Sequence, residues 1–224
     1  MAAKRASTRV DYKQLHCLSS VIMYDNSSAR KKKGKIYPVE RIITRKKQNN
    51  DFLYLIKWLG WSLQYCTWEP SSNLPENLLS GYEHPPEPSL SQLEQAARAF
   101  SCGISTMLKS KSLRRGHIDI NHDCWRYVIR GKGRPSEHRG YQLFDKEDFA
   151  RLPMLPSDWW YIFNKHGEGQ KIDFPIKAKA VVSWSAQKYV FDKEGNVVPA
   201  ARFPLERISI YIASCPCNQE NLFY

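Results

Sequence analysis

Apolar and polar residues alternate along two neighbouring stretches in the first quarter of the chain. The first is YPVERIITRKK, which alternates through Val39, Arg41 and Ile43, and the second is FLYLIKWLG. A repeat of two residues predicts β-strands. The residues that separate these stretches, KKQNND, supply the Asn and Asp that favour a tight turn. The pattern therefore predicts an antiparallel hairpin.

A third strand and a short helix are predicted after this hairpin. The strand is CTWEP, which ends at Pro70, and the next residues, SSNLPENLLSGYE, begin with the Ser and Asn that often cap helices. Leu78, Leu79 and Tyr82 follow at helical spacing. We therefore predict a three-stranded antiparallel sheet with a C-terminal helix.

Three prolines among residues 85–88 interrupt this pattern and predict a linker with one helix over residues 85–123. Within it, residues 102–120 are basic and weakly patterned, which indicates a loop. Ser89 or Ser91 is expected to cap the helix. One face of the helix is expected to carry Leu90, Leu93, Ala97 and Phe100.

Residues 124–217 are rich in aromatic residues and are predicted to form a second α+β domain. Its clearest element is KYVFDKEGNVV, a hairpin with its turn at residues 192–196. Residues 218–224 are interpreted as a tail. The chain is thus assigned to the α+β class, with a sheet-and-helix domain followed by a mixed, β-rich region.

Composition agrees with two folded domains. The chain has 224 residues, 42% hydrophobic and 25% charged, near the averages of globular proteins. It has no apolar run long enough for a membrane span and no apolar signal at its N-terminus, so no membrane partner is expected. The six cysteines lack the spacing of a disulfide scaffold, which favours reduced thiols in an intracellular protein.

Positive charge is concentrated at the N-terminus. Residues 1–50 contain 13 Lys and Arg against 3 Asp and Glu, whereas residues 51–224 contain 21 against 19. The densest run is ARKKKGK at 29–35, which suits a nuclear-import signal or an arm that makes weak contact with DNA or RNA phosphates. A solvated tail has the same composition. Residues 1–35 are therefore predicted to be a basic disordered tail.

Three tryptophans lie within YLIKWLGWSLQYCTWEP, residues 54–70. Trp61 follows Gly60 just past the end of a predicted strand, where a ring can project from a rim, and Tyr37 begins the first strand. With Trp58, these rings can surround a slot that suits a methylated ammonium, because each ring face attracts a cation by ~0.5–2 kcal/mol. Trp68 is expected to be a buried anchor instead.

These residues resemble the chromodomain signature of the heterochromatin-protein class. The matching segments are YPVERI at 37–42, YLIKWLGW at 54–61 and TWEPSSNL at 67–74. The resemblance covers residues 36–84. It implies that Tyr37, Trp58 and Trp61 form an aromatic cage for methyllysine. Tyr65 departs from the family, which usually carries an acidic residue at this position.

The resemblance also implies how a peptide is held. In chromodomains a histone tail adds as a β-strand between the N-terminal segment and the segment after the sheet. Here the backbone at 37–39 and at 69–73 is expected to clamp it, with Val39, Glu69 and Asn73 as contact residues. Pro38 lacks an N–H, which is tolerable only if that position faces away from the peptide.

The resemblance implies a non-enzymatic chromatin reader that binds a methylated histone tail without a cofactor. Such a protein is expected in the nucleus, at heterochromatin, in gene silencing. The C-terminal region is expected to bind a protein partner or to self-associate. A further hypothesis is that Ala29-Arg30-Lys31, which imitates the context of histone-tail lysines, acts as a self-ligand.

Two other interpretations concern the second region. His122 and Cys124 with Cys215 and Cys217 offer zinc-ligating atoms, but their spacing fits no known finger, and separate thiols are favoured, so no metal site is predicted. The sequence contains no G-x-S-x-G motif, no P-loop, no H-E-x-x-H motif and no dinucleotide-binding fingerprint.

Residues 156–217 weakly resemble the pre-catalytic region of suppressor-of-variegation histone lysine methyltransferases, through PSDWWYIFNKHGEG, KYVFDKEGNVV and CPC. Only Cys215 and Cys217 correspond to the zinc-binding cysteines of that region. The alternative function is therefore the N-terminal part of a diverged or truncated methyltransferase that lacks its SET domain, which would have to follow residue 224. A third interpretation is a nucleic-acid tether, as in some mobile-element proteins.

Overall fold

The computed structural model describes residues 20–23, 35–110, 115–186 and 188–218. The predictions for the tail after residue 218 and for most of residues 1–35 lie outside this range. The chain divides into two compact units between Ser80 and Gly81, and each is described by itself. None of the helices in the described part has the length and apolar character needed to cross a membrane.

The first unit is built on an antiparallel sheet with the strand order β1-β2-β3-β4. Single 3₁₀ turns lie at Leu63–Tyr65 and Ser71–Asn73. The predicted three-stranded sheet followed by a helix is confirmed as β2, β3, β4 and α1. The elements are β1 (Ser20–Met23), β2 (Lys35–Gln48), β3 (Asp51–Trp58), β4 (Thr67–Pro70) and α1 (Glu76–Glu83).

The β2–β3 hairpin turns at Asn49, whose φ of 53° is in the left-handed region that Asn tolerates. The register shifts twice along β2, between Val39 and Arg41 and between Ile42 and Thr44. Such bulges add a residue to one strand, so strict alternation fails and Ile42 and Ile43 are both buried. The core of this unit is Val39, Ile42, Ile43, Tyr54, Leu55, Ile56, Trp58, Leu74 and Leu78.

Strand β1 is a regular element within residues 1–35, the segment predicted to be a basic disordered tail. Ser20–Met23 pair antiparallel with the beginning of β2, from Ser20 opposite Pro38 to Met23 opposite Lys35. The sequence SVIM contains β-branched residues but is too short to predict a strand by periodicity. Its partner strand, which lies later in the chain, supplies the hydrogen bonds that a short strand needs.

The second unit contains a six-stranded sheet with the order β5-β12-β9-β7-β6, in which β8 also pairs with β9. A separate hairpin joins β10 to β11, which confirms the turn predicted at residues 192–196. The strands are β5 (Arg115–Asp119), β6 (Arg134–Pro135), β7 (Gln142–Phe144), β8 (Tyr161–Phe163), β9 (Glu168–Trp184), β10 (Tyr189–Phe191), β11 (Val197–Pro199) and β12 (Pro204–Asn218).

Two helices complete this unit, α2 (Leu90–Lys109) and α3 (His122–Ile129), with a 3₁₀ turn at Lys146–Phe149. As predicted, Ser89 caps α2: its hydroxyl accepts a hydrogen bond from the Gln92 N–H, and the Gln92 side chain accepts one from the Ser89 N–H. Leu90, however, is exposed, because the buried face of the helix begins at Leu93.

The interpretation of residues 85–123 as a linker is wrong. Helix α2 contributes one whole face to the core of the second unit, and β5 is an edge strand of its sheet. Gly103 allows helix and strand to approach closely, because a Cβ at this position would lie 2.5 Å from Cδ1 of Ile118. From the linker segment the core receives Leu93, Ala96, Ala97, Phe100, Ile104, Met107, Leu108, Ile118 and Ile120.

Candidate peptide-binding site

The start of β2 lies beside the end of β3, which brings two of the predicted cage residues together. Val39 is paired with Trp58, and the Leu59 N–H donates to the Pro38 carbonyl at 3.0 Å. The rings of Tyr37 and Trp58 meet edge to face, with centroids 6.1 Å apart and planes at 68°. This is a favourable geometry for aromatic pairs, and it holds the two rings against each other.

The third predicted residue, Trp61, lies on a turn held by several hydrogen bonds. Gly60 has a φ of +77°, a conformation that side-chain-bearing residues rarely adopt, and the Trp61 N–H donates to the Trp58 carbonyl at 3.2 Å. The Lys57 ammonium donates to the Trp61 carbonyl at 2.5 Å and to Glu40 Oε2 at 2.6 Å. The turn is thereby fastened to β2 and β3 while Trp61 remains 48% exposed.

Tyr65 is an additional aromatic residue next to Trp61. The aromatic residues near the end of β3, which are Tyr37, Trp58, Trp61 and Tyr65, are called the rim. The Tyr65 ring packs edge to face against Trp61, with centroids 5.3 Å apart, and half of the residue is exposed. Sequence reasoning noted Tyr65 only as a departure from the family. The available signal was its position four residues after Trp61, where a single 3₁₀ turn folds the chain back.

Trp58 is more deeply buried, and Trp68 less deeply buried, than the sequence suggested. Trp58 is only 6% exposed, and its Nε1 donates to the Thr67 hydroxyl at 3.2 Å. Trp68 is partly exposed, with the Lys46 ammonium 4.2 Å from the centre of its ring. The prediction of Trp68 as a buried anchor is therefore wrong. Trp58 both packs in the core and belongs to the rim.

The residues expected to clamp a peptide differ in which of their groups are available for contact with it. Val39 is buried, so only its backbone is available. Glu69 is also buried, and its carboxylate accepts hydrogen bonds from the Thr67 hydroxyl at 2.6 Å and from Asn73 Nδ2 at 3.4 Å. These bonds connect β4 to the turn at Ser71–Asn73. The Ser71 hydroxyl also donates to Asp51 Oδ1 at 2.7 Å, which holds the turn against β3.

The direction of the main-chain N–H and C=O groups in β2 explains why a proline is tolerated at position 38. Its carbonyl accepts from Leu59 and therefore points towards the β3 side. Successive residues of a strand point their N–H and C=O groups to opposite sides, so those of Tyr37 point to the outer edge. The missing N–H of Pro38 thus lies on the inner side, where it removes nothing from that edge.

The candidate zinc ligands of the second unit are not assembled into a site. The described residues contain no group of three or more His, Cys, Asp or Glu side chains that could hold a metal. His122 is buried, with Nε2 3.2 Å from the Arg207 carbonyl oxygen. Burial, together with the neighbouring charge of Asp123, raises the pKa of the Cys124 thiol to about 11, which disfavours the thiolate that metals bind.

Comparison with known families agrees with the fold of this segment. Residues 37–84 match the Chromo (chromatin organisation modifier) domain family. The segment is a chromo domain, as its sequence motifs predicted.

Related proteins extend the same conclusion. Chromobox protein homolog 6 of Mus musculus and chromobox protein homolog 8 of Homo sapiens are each 38% identical to this chain over 50 residues. The match covers 22% of this chain and 12% and 13% of the respective relatives, so the chain spans about an eighth of their length. No solved structure matches the chain significantly. The domain content fits a chromatin reader.

Proposed function

We propose that this protein reads chromatin by binding a methylated lysine of a histone tail, with Tyr37, Trp58 and Trp61 as the walls of the cage. The observation that supports it most is the position of Trp61. Its ring is half exposed on a turn that Lys57 holds in place, next to the edge-to-face pair of Tyr37 and Trp58. A rigid, solvent-facing indole offers area for a ligand at little entropic cost.

The chemistry of the rim favours a methylated over an unmethylated lysine. A methylated ammonium is weakly hydrated, so it loses little hydration free energy when it leaves water. An unmodified ammonium requires hydrogen-bond acceptors in place of its water. Tyr65, packed on Trp61, extends the aromatic surface at a position where the family usually has an acidic residue. We therefore expect binding here to depend on cation–π attraction more than on ion pairing.

The peptide backbone would add to the outer edge of β2, at Tyr37, and face the turn at Ser71–Asn73 on its other side. The contribution of Glu69 is indirect, because its carboxylate holds Thr67 and Asn73. Val39 contributes through its backbone. In this proposal Glu69 is a positioning residue, and Asn73 belongs to the clamp.

Calorimetric titration of the full chain with histone-tail peptides tests the proposal. A trimethylated peptide should bind more tightly than its unmethylated form, and Trp61→Ala should weaken that binding by ~1–3 kcal/mol because one wall is removed. Trp184→Ala is the matched control, since Trp184 in the second unit is a comparably exposed indole. Equal affinity for both peptides, or equal losses in the two variants, would contradict the proposal.

This function requires no chemical step and no cofactor, and it places the protein in the nucleus at chromatin, with silencing of heterochromatin as the expected context. The second unit would then provide binding to a partner or to another copy of the chain. Its likeness to the front part of a histone methyltransferase stays a prediction.

A weak DNA or RNA contact through the basic N-terminal segment is a separate proposal with its own test. Charge favours it, because residues 1–50 carry most of the net charge of +12. Binding to duplex DNA should then weaken steeply as salt rises and should be unchanged in Trp61→Ala. Salt-independent binding would contradict a phosphate contact.

A further inference from the structure

Strand β1 lies at the position where the proposed histone tail would add. Val21 is directly opposite Tyr37 and Ile22 is opposite Ile36. The same strand contacts the turn at Ser71–Asn73, which is the other side of the expected clamp. A segment of this chain therefore lies between the two backbone segments that would hold a peptide.

The pairing uses the same main-chain groups that a peptide would need. The N–H and C=O of Tyr37 point to the outer edge of β2, because those of Pro38 point to Leu59 on the inner side. Val21 is the residue in register with Tyr37, so β1 satisfies this edge. A strand edge accepts only one partner on each side, and β1 and a histone tail therefore exclude each other.

Because β1 is part of the same chain as β2, it has an advantage over a free peptide with the same intrinsic affinity for the β2 edge. Only residues 24–34 separate β1 from β2, and closing a loop of this size costs little more than closing a shorter one. A tethered segment competes at an effective concentration in the millimolar range. In the described part of this segment only the four residues Ser20–Met23 pair with β2, so a peptide that also fills the cage can displace them.

We propose that Ser20–Met23 is an intramolecular competitor that occupies the peptide groove of the chromo domain and must leave before a histone tail can bind. This inference rests on the proposed function. The earlier self-ligand hypothesis concerned Ala29-Arg30-Lys31, which lies outside the described residues. The segment identified here is a different one, and it acts through its backbone register.

A disulfide that locks β1 onto β2 tests the proposal directly. Ile22 and Ile36 are opposite each other, and the alternation of hydrogen-bonded pairs makes theirs a non-hydrogen-bonded pair, the closer kind. The Cα separation of such pairs, ~4.5 Å, lies within the range of disulfides. In the full-length Ile22→Cys/Ile36→Cys variant, oxidation should therefore cross-link the two strands.

The oxidised variant should bind a trimethylated histone-tail peptide at least ~10-fold more weakly than the reduced one, and reductant should restore binding. Ile36→Cys alone, treated identically, is the control for the other cysteines of the chain. A locked form that binds as tightly as the reduced form would overturn the proposal. So would failure of the cross-link to form, because it would contradict the register.

The opposite variant should open the groove. Val21→Pro/Met23→Pro removes the two N–H groups that face β2, and it should tighten binding of the same peptide by about tenfold and speed its association. Ala6→Pro places a proline ahead of β1 as the control. Unchanged or weaker binding in the double variant, with its fold retained by circular dichroism, would overturn the proposal.

These outcomes separate the two levels of the argument. If the reduced protein prefers the methylated peptide and loses this preference on Trp61→Ala, while the lock has no effect, only the competitor role of β1 fails. If the reduced protein ignores methylation, the proposed function fails and the inference fails with it.

Discussion

The two units of this protein use aromatic residues in opposite ways. In the chromo domain, Tyr37, Trp61 and Tyr65 lie at a strand start and in turns, and Trp61 and Tyr65 are exposed. In the second unit, Phe100, Phe149 and other rings form a closed cluster, with the centroids of this pair 4.7 Å apart. The position of a ring relative to the end of a strand, more than aromatic density, separates a candidate binding surface from a core.

Trp58 has features of both kinds of aromatic residue, the core residue and the rim residue. It is the last residue of β3, so its ring is packed like a core residue on one side and contacts Tyr37 at the rim. The comparison therefore predicts a gradient of effects, from a ring that only supports the fold to a ring that only supports binding.

The largest effect is expected for Phe100→Ala in the second unit. Phe100 is fully buried against Phe149 and Trp159, and the lost ring and the cavity should reduce the free energy of unfolding by ~3–5 kcal/mol. Denaturant unfolding measures it. Phe191→Ala, at a 75% exposed residue, is the control and should change stability by no more than ~0.5 kcal/mol. A loss below ~1 kcal/mol for Phe100→Ala would show that the cluster is not closed.

Trp58→Ala should reduce both stability and binding. The buried ring and its hydrogen bond to Thr67 would both be lost, so the free energy of unfolding should fall by ~3 kcal/mol and methylated-peptide binding should disappear. Trp58→Phe keeps a ring and should retain part of both properties. Thermal unfolding and calorimetry on the same samples compare them. Full stability in Trp58→Ala would place this ring with the rim alone.

Trp61→Ala should leave the fold intact. The ring is half exposed and its turn is held by backbone groups and Lys57, so the free energy of unfolding should change by ~0.5 kcal/mol or less. Thermal unfolding of this variant beside Trp58→Ala is the measurement. If both variants lose structure equally, the distinction between rim and core fails in the chromo domain.

The smallest effect concerns one carboxylate in each unit. Hydrogen bonds from the Ser71 hydroxyl and the Phe52 N–H lower the pKa of Asp51, and backbone N–H groups, that of Asn196 foremost, lower the pKa of Asp192. A carboxyl group with a lowered pKa contributes stability above its unfolded pKa of ~3.9, and this contribution is lost as pH falls through the folded pKa.

Asp51→Asn should therefore slightly flatten the acid dependence of unfolding of the chromo domain below pH ~4, and Asp192→Asn that of the second unit. Thermal midpoints across an acid series, read by probes in each unit, measure both. A steeper acid dependence in either variant would contradict the assigned hydrogen bonds.

The sequence by itself determined the chromo domain to a large extent. Its predictable features are local: the alternation in β2 and β3, the turn at Asn49 and the three motif segments. Each depends on residues that are neighbours in the sequence, so the sequence alone is enough to predict it. The positions of the proposed cage residues are local in the same way, since strand ends and a glycine turn fix Tyr37, Trp58 and Trp61 in register. The Ser89 cap of α2 is local in the same sense.

Only the tertiary structure determined which of these residues are buried. Trp58 is buried and Trp68 is not, because bulges and strand pairing set the faces of the sheet. Part of residues 85–123 belongs to the core because β12, far along the chain, pairs with β5, and α2 packs its apolar face into the same core. The strand β1 exists only because β2 offers a free edge. Pairing between distant segments carries no local periodicity, so a single sequence does not reveal it.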